Sequence, residues 1–134
     1  MKLNTVVTAL TVDEDMSGLV RQIAPLRWKV FQALPISGQN DGTIDDLLVP
    51  DEAFHAFVDR HLHLAAEGLG PVVEDNDAMR GSYVMVDPRG RFFGNATGRL
   101  VYSDPILGVG VHPALAQVGF EPAKFDARGG RYAW

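Results

Sequence analysis

The sequence contains no cysteine among its 134 residues. This absence excludes disulfide bonds, thiolate zinc sites and cysteine nucleophiles from the chain. It also excludes an iron–sulfur cluster held by cysteines of this chain, because such clusters are bound through cysteine thiolates. Any chemistry assigned to these residues must therefore use other side chains.

Positive charge is also scarce, with 12 Lys and Arg residues against 17 Asp and Glu residues and a formal net charge of −5 at pH 7. A net negative surface repels nucleic acid and anionic membranes, so neither is expected as a partner. No apolar run approaches the roughly 20 residues of a membrane-spanning helix, and the first residues lead into a strand-like run instead of a signal peptide. We therefore expect a cytoplasmic protein in which any anion site is a local cluster of basic residues.

The first third of the chain has the pattern of a β-α-β unit. Residues 3–10 form a β-branched and apolar run, typical of a buried strand in a parallel sheet. Thr11 and Glu14 match a capping box and predict a helix over residues 12–24. Residues 27–34 alternate in polarity and predict a second strand.

Two parallel strands alone cannot bury both of their faces, which favours a piece of a larger α/β barrel over a freestanding fold. The predicted fold class is therefore α/β. Residues 1–34 form the last β-α-β unit of a partial (β/α) barrel, and residues 35–134 form an irregular α+β extension within the same incomplete domain. The predicted elements of the extension are a loop over residues 35–50, a helix capped by Asp51, a hairpin about residues 87–90, and short helices at residues 113–118 and 122–127.

Basic residues alternate along both predicted strands. Alternation places Lys2 and Asn4 on one side of the first strand and Arg27 and Lys29 on one side of the second, and neighbouring parallel strands would bring the two pairs together. Cations that face the inside of a barrel need an anion, and a triphosphate offers several charged oxygens to them. The alternative is that Arg27 and Lys29 face solvent and only keep an edge strand soluble.

Short motifs in matching order give the chain a family resemblance. They include KLNTVV at residues 2–7, RWKVFQ at residues 27–32 and RGGRY at residues 128–132. On these motifs the chain resembles the C-terminal half of the viperin-like radical S-adenosylmethionine nucleotide dehydratases, of the prokaryotic type. Further matching blocks are residues 13–16, 25–26, 74–76, 82–83, 91–92 and 106–111, and Phe57 with Arg60 and His61.

The resemblance implies a partial (β/α) radical-SAM barrel that ends in residues 1–34, with residues 35–134 closing over the nucleotide site. It implies dehydration of a ribonucleoside triphosphate to its 3′-deoxy-3′,4′-didehydro form, in antiviral defence. In such enzymes S-adenosylmethionine bound to a [4Fe-4S] cluster supplies the radical. Because this chain has no cysteine, both cofactors are expected on a missing N-terminal half, supplied in cis or in trans, and the chain alone is expected to be inactive.

The resemblance also implies roles for individual residues. It implies that Tyr83 lies beside the substrate and takes part in hydrogen transfer, the alternative being an ordinary strand tyrosine that packs its ring. Arg128 precedes two glycines, which suits a tail that closes over a ligand, although such a triplet also occurs in ordinary turns. Among residues 95–100, Arg99 is the one candidate for a further phosphate contact. The residues implied to bind the triphosphate are Lys2, Asn4, Arg27, Lys29 and Arg128.

No metal site is expected in this chain. His61 and His63 are two residues apart and point to different faces of a helix, so they are expected to be solvated or core histidines. Two other functions stay open beside the enzyme: a non-catalytic nucleotide-binding or partner module, and a truncated, inactive gene product. A cysteine motif encoded just upstream would favour the enzyme.

Overall fold

The computed structural model describes residues 1–130 as a mixed α/β protein with one parallel and one antiparallel sheet. The chain divides into two compact units. The first contains residues 1–34 and 44–76, and the second contains residues 35–43 and the chain from residue 77 onward. The strands are β1 (Lys2–Val7), β2 (Arg27–Gln32), β3 (Pro71–Glu74), β4 (Met85–Val86), β5 (Arg91–Gly94) and β6 (Val101–Pro105). The helices are α1 (Ser17–Ile23), α2 (Asp51–His61), α3 (Asn76–Met79), α4 (Ile106–Val109), α5 (Val111–Ala116) and α6 (Pro122–Ala127), with 3₁₀ turns at Asp45–Leu47 and Leu62–Glu67.

The parallel sheet of the first unit has the strand order β1-β2-β3. β1 and β2 pair in parallel on either side of α1 in the sequence, so the predicted β-α-β unit is confirmed. β3 is not predicted by the sequence patterns, because a run of four residues is too short to show a period. Residues 44–76 join residues 1–34 in one compact unit, since α2 and β3 contribute to the same core.

One face of the parallel sheet is buried. Val7, Trp28 and Val30 from the sheet form a core with Val20 of α1 and Phe54 of α2. Fully burying side chains of this size stabilises the fold by about 1.5–3 kcal/mol each. Because the residues of β2 alternate, burial of Trp28 and Val30 on this face sends the charged residues of β2 to the opposite face.

β1 differs from its prediction in length and in burial. It ends at Val7 instead of Leu10, because the Thr8 N–H donates to the Thr11 Oγ1 (3.1 Å) where the chain turns. The prediction of a strand that is buried throughout is wrong, since only one face of the sheet lies in the core. The residues of the other face of β1 are exposed: Lys2, Asn4 and Val6.

The capping box predicted at Thr11 is also wrong. α1 begins at Ser17 and not at residue 12, and the Thr11 hydroxyl contacts the turn before it. The Arg60 guanidinium donates hydrogen bonds to the carbonyl oxygens of Val12 and Glu14, at 3.0 Å each. These contacts hold the segment before α1 as a loop, so a tertiary interaction overrides the local helix signal.

His61 is a core histidine, as expected. It is fully buried, its Nδ1 lies 2.7 Å from the Phe57 carbonyl oxygen, and its Nε2 accepts a hydrogen bond from the Met16 N–H at 2.9 Å. Its ring also meets the Trp28 ring edge to face, with centroids 5.4 Å apart. The imidazole therefore carries its proton on Nδ1 and links α2 to the start of α1.

The second unit contains the predicted hairpin of β4 and β5. The Gly90 N–H donates to the Asp87 carbonyl oxygen (3.0 Å), and Gly90 has a positive φ of 69°, which a glycine adopts without strain. β6 pairs with β5, and α6 occupies residues 122–127 as predicted. In the part of the chain that the structure describes, no helix is long and apolar enough to cross a bilayer.

The Asp87 carboxylate holds this hairpin together. Its Oδ1 accepts hydrogen bonds from the backbone N–H groups of Arg89 and Arg91, and its Oδ2 accepts two from the Arg91 guanidinium. Burial alone would raise the pKa of Asp87, but the hydrogen bonds from Arg91 and Arg89 outweigh it, so the pKa lies below its ordinary value.

Replacing Asp87 by alanine is expected to lower the urea midpoint of unfolding at neutral pH, because these hydrogen bonds are lost. The lowered pKa gives stability that is present above the ordinary aspartate pKa of about 3.9 and disappears as the pH falls through the folded-state value. The difference in urea midpoint between wild type and Asp87→Ala should therefore become smaller at acidic pH. Urea unfolding over a pH series measures this difference, and the variant Asp13→Ala, which changes an exposed aspartate, is the control. A difference in midpoint that stays constant at acidic pH would contradict the stabilising role of the Asp87 carboxylate.

Candidate functional site

Four of the predicted site residues lie side by side on the parallel sheet. In the register of β1 and β2, Lys2 is opposite Arg27 and Asn4 is opposite Lys29. Paired residues of neighbouring strands share a face, so the predicted meeting of the two pairs is confirmed. We call these four residues the polar face.

Burial differs across the polar face. Lys2 and Asn4 are exposed, Arg27 is half-buried, and Lys29 is only 6% exposed. β2 is the central strand of its sheet, so the alternative of solvent-facing residues on an edge strand is wrong for Lys29. A buried ammonium requires a partner, because leaving water costs it a large solvation free energy.

The partner of Lys29 is Glu74, at the end of β3. The Lys29 Nζ and the Glu74 carboxylate form an ion pair and hydrogen bond, and Glu74 is fully buried. The Phe31 ring, whose residue is opposite Glu74 in the register, lies with its centroid 5.6 Å from Nζ. The sequence patterns do not predict this role of Glu74, because they do not predict β3; the available signal is a glutamate directly after two valines.

Gln32 fixes the carboxyl ends of the strands. Its Nε2 donates to the Val49 carbonyl oxygen (3.0 Å) and to the Asp51 carboxylate (2.7 Å), while its Oε1 accepts from the Asn76 N–H (2.9 Å). Asp51 therefore binds Gln32 and is not the predicted helix cap, a position that Pro50 occupies. The buried amide ties β2 to the residues after β3 and to the start of α2, which makes this edge of the sheet rigid.

In the second unit, the structure brings Tyr83 and Arg128 together. The Arg128 Cζ lies 3.8 Å from the centroid of the Tyr83 ring, and its Nη2 donates to the Ser82 carbonyl oxygen at 3.0 Å. The Phe125 ring lies 5.1 Å from the same guanidinium carbon. Tyr83 precedes β4 and is not a strand residue, but its ring packs on Arg128, so the alternative of a tyrosine that only packs its ring stays open. We call Tyr83, Phe125 and Arg128 the arginine stack.

Backbone conformation and steric crowding explain why glycines occupy the two positions after Arg128. Gly129 has a φ of 66°, and a Cβ on Gly130 would lie 2.5–2.6 Å from atoms of the Phe125 ring. The backbone therefore passes close over Phe125, as a glycine permits. The rest of the C-terminal motif, residues 131–134, lies outside the described residues.

Two buried polar atoms lie in the segment that leads to Tyr83. Ser82 Oγ and Arg80 Nε have no hydrogen-bond partner within residues 1–130. The same segment is otherwise well bonded, since the Gly81 N–H donates to Asn95 Oδ1 (3.2 Å) and its carbonyl oxygen accepts from the Glu121 N–H (2.8 Å). Buried polar groups left unsatisfied in a well-ordered segment are typical of sites completed by water or ligand.

The predicted site residues belong to different units. Lys2, Asn4, Arg27 and Lys29 are in the first unit, and Tyr83, Arg99 and Arg128 are in the second. Arg99 is exposed, and its backbone forms a bridge with Ser37.

The residues of this chain do not fit an iron–sulfur cluster, because the sequence has no cysteine. Within residues 1–130, no group of three or more His, Asp or Glu side chains is arranged to hold a metal ion. The side chains present instead offer cationic and amide donors, which bind anionic oxygens.

Comparison with known proteins identifies relatives, although no family model matches the chain. The S-adenosylmethionine-dependent nucleotide dehydratase of Flammeovirga pacifica is 46% identical over 134 residues, which is 100% of this chain and 45% of that protein. A protein of the same name from Lacinutrix mariniflava is 46% identical over 100% of this chain and 27% of its own length. The S-adenosylmethionine-dependent nucleotide dehydratase RSAD2 of Siniperca chuatsi is 38% identical over 99% of this chain and 38% of its own length.

The resemblance found in the short motifs thus extends over the whole chain. The chain spans less than half the length of these relatives. By sequence it belongs to the viperin-like family of S-adenosylmethionine-dependent nucleotide dehydratases.

Proposed function

We propose that this chain is the nucleoside-triphosphate-binding part of a radical S-adenosylmethionine nucleotide dehydratase. The complete enzyme would dehydrate a ribonucleoside triphosphate to its 3′-deoxy-3′,4′-didehydro form and serve antiviral defence. The observation that carries the proposal is the polar face, on which Lys2 and Arg27 lie opposite each other with Asn4 and Lys29 in the next pair.

The polar face suits a chain of phosphates. An Arg guanidinium binds two phosphate oxygens through its planar fork, a Lys ammonium acts as a compact charge, and an Asn amide donates a neutral hydrogen bond. Lys2 and Asn4 are exposed, so a ligand can reach this side of β1. Lys29 would bind a phosphate oxygen while it keeps Glu74 as its second partner. Arg128, in the second unit, is proposed as a further phosphate contact.

The remainder of the fold would come from the rest of the protein. β1 is one of the two outer strands of the parallel sheet, and within the described part of the chain no further strand pairs with its other edge. We propose that another strand of a partial (β/α) radical-SAM barrel continues the sheet there. That part would hold the [4Fe-4S] cluster and S-adenosylmethionine, which supply the radical chemistry, and would be joined in cis or in trans. Tyr83 is proposed to lie beside the substrate and take part in hydrogen transfer.

A second candidate function is a nucleotide-binding or partner module without catalysis. The observation that favours it is that these residues include no cysteine that could hold a cluster. Such a module would keep the polar face and would need no partner that bears a cluster.

Replacing Arg27 by glutamine in the completed enzyme is expected to weaken nucleoside triphosphate binding about 10- to 100-fold, the size of one or two charge-assisted hydrogen bonds. Affinity for S-adenosylmethionine should stay unchanged. Calorimetric titration measures both. The matched control is Arg21→Gln, which removes an exposed arginine paired with Glu67 and should leave both affinities as they are; unchanged triphosphate affinity in Arg27→Gln would contradict the proposal.

Reconstitution with iron and sulfide separates the two candidates. The chain alone should develop no visible absorption from an iron–sulfur cluster, because it offers no thiolate ligand. When the chain is co-expressed with an N-terminal segment that carries a Cys-x-x-x-Cys-x-x-Cys motif, the pair should bind a cluster and dehydrate a ribonucleoside triphosphate. A pair that binds the cluster and the triphosphate but yields no dehydrated product would favour the module.

A further inference from the structure

Arg128 makes two contacts with the segment of Ser82 and Tyr83. Its guanidinium stacks on the Tyr83 ring at 3.8 Å, and it donates a hydrogen bond to the Ser82 carbonyl, which belongs to the peptide group leading into Tyr83. One cation thus contacts both the ring and the backbone that carries the ring. A change in the position of Arg128 would therefore be transmitted directly to Tyr83.

Phe125 also contacts the Arg128 guanidinium. It lies on α6, its ring centroid is 5.1 Å from Arg128 Cζ, and its ring is supported by Phe120, whose centroid is 5.8 Å away. The lack of a side chain at Gly130 leaves room for this ring, since a Cβ there would collide with it. α6 is itself anchored, because Lys124 Nζ binds the Asp77 carboxylate (3.1 Å) and carbonyl oxygen (2.9 Å). The arginine stack is thus built on a fixed element.

A stacked guanidinium can still bind an anion. Its N–H donors all lie in its plane and point outward from its edge, whereas aromatic rings contact its faces. One arginine can therefore hold a ring, a protein carbonyl and a phosphate oxygen at the same time.

We propose that Arg128 couples occupancy of the phosphate site to the position of Tyr83, with Phe125 as the positioning residue that keeps the guanidinium in the stack. The proposal rests on the proposed function for the phosphate contact of Arg128, and on the contacts above for the coupling. A ligand with a phosphate that reaches Arg128 fixes Tyr83, and a ligand with a shorter phosphate chain leaves it less ordered. The enzyme would then discriminate between triphosphate and shorter phosphate chains in the reaction step as well as in binding.

The test is solution NMR of the 134-residue chain, with inorganic triphosphate as the probe and inorganic phosphate as the short comparison. The Arg128 Nε–Hε signal and the Tyr83 ring signals should shift together with triphosphate, and much less with phosphate. Tyr102 is an internal control, because it stacks on Arg91 with a Cζ-to-centroid distance of 4.6 Å in another part of the second unit. Its ring signals should not move.

Three variants separate coupling from simple packing. Phe125→Leu should keep the Arg128 response and reduce the Tyr83 response about threefold, the size expected of one cation–π contact. Phe125→Tyr retains the ring and should restore the response. Ala123→Ser changes an exposed residue of α6 and leaves both the stack and the Lys124 anchor in place. It should respond as wild type does, and a loss equal to that of Phe125→Leu would overturn the role of Phe125.

The outcomes distinguish the inference from the proposed function. If Arg128 shifts with triphosphate and Tyr83 does not, the coupling is wrong and the phosphate contact stands. If neither residue shifts at saturating triphosphate, the phosphate contact of Arg128 is wrong, and the coupling falls with it.

Discussion

The ion pair of Lys29 and Glu74 is the interaction on which the polar face depends. Taking two charges out of water costs several kcal/mol per ion, so the pair persists only because β2 and β3 hold the ammonium and the carboxylate in contact. Removing one partner alone would leave a buried charge without its counter-ion and lower the free energy of unfolding by about 3–5 kcal/mol. The pair therefore binds the short strand β3 to β2 and gives Lys29 a partner before any ligand arrives. A phosphate at Lys29 would have to share that ammonium with the Glu74 carboxylate.

The sequence predicts structural features that depend on the alternation of side chains along a strand. It does not predict features that depend on contacts between distant segments. The faces of β2 followed from the spacing of Trp28 and Lys29, and parallel pairing then placed Lys29 beside Asn4. No local pattern could reveal that Arg60 binds the loop before α1 and suppresses the capping box. Glu74 was missed for a similar reason, since the significance of a buried glutamate depends on the strand that lies beside it.

The arginine stack shows the same limit at the candidate site. The motifs that contain Tyr83 and Arg128 lie far apart in the sequence, and nothing in either motif predicts that one residue packs on the other. Phe125 carried no signal at all, because a phenylalanine in a short helix is an ordinary core residue. The contact between these distant segments is visible only in the folded chain.

The net charge of −5 and a cationic polar face are compatible, because they act over different distances. At physiological salt, charges more than about 8 Å apart are largely screened. Under the proposed function, a small triphosphate at the polar face would interact mainly with Lys2, Arg27 and their neighbours, and only weakly with the acidic surface elsewhere. A nucleic acid would meet that surface along its length, where like charge opposes binding. If the polar face binds a triphosphate as proposed, the acidic composition would contribute to selectivity by disfavouring extended polyanions.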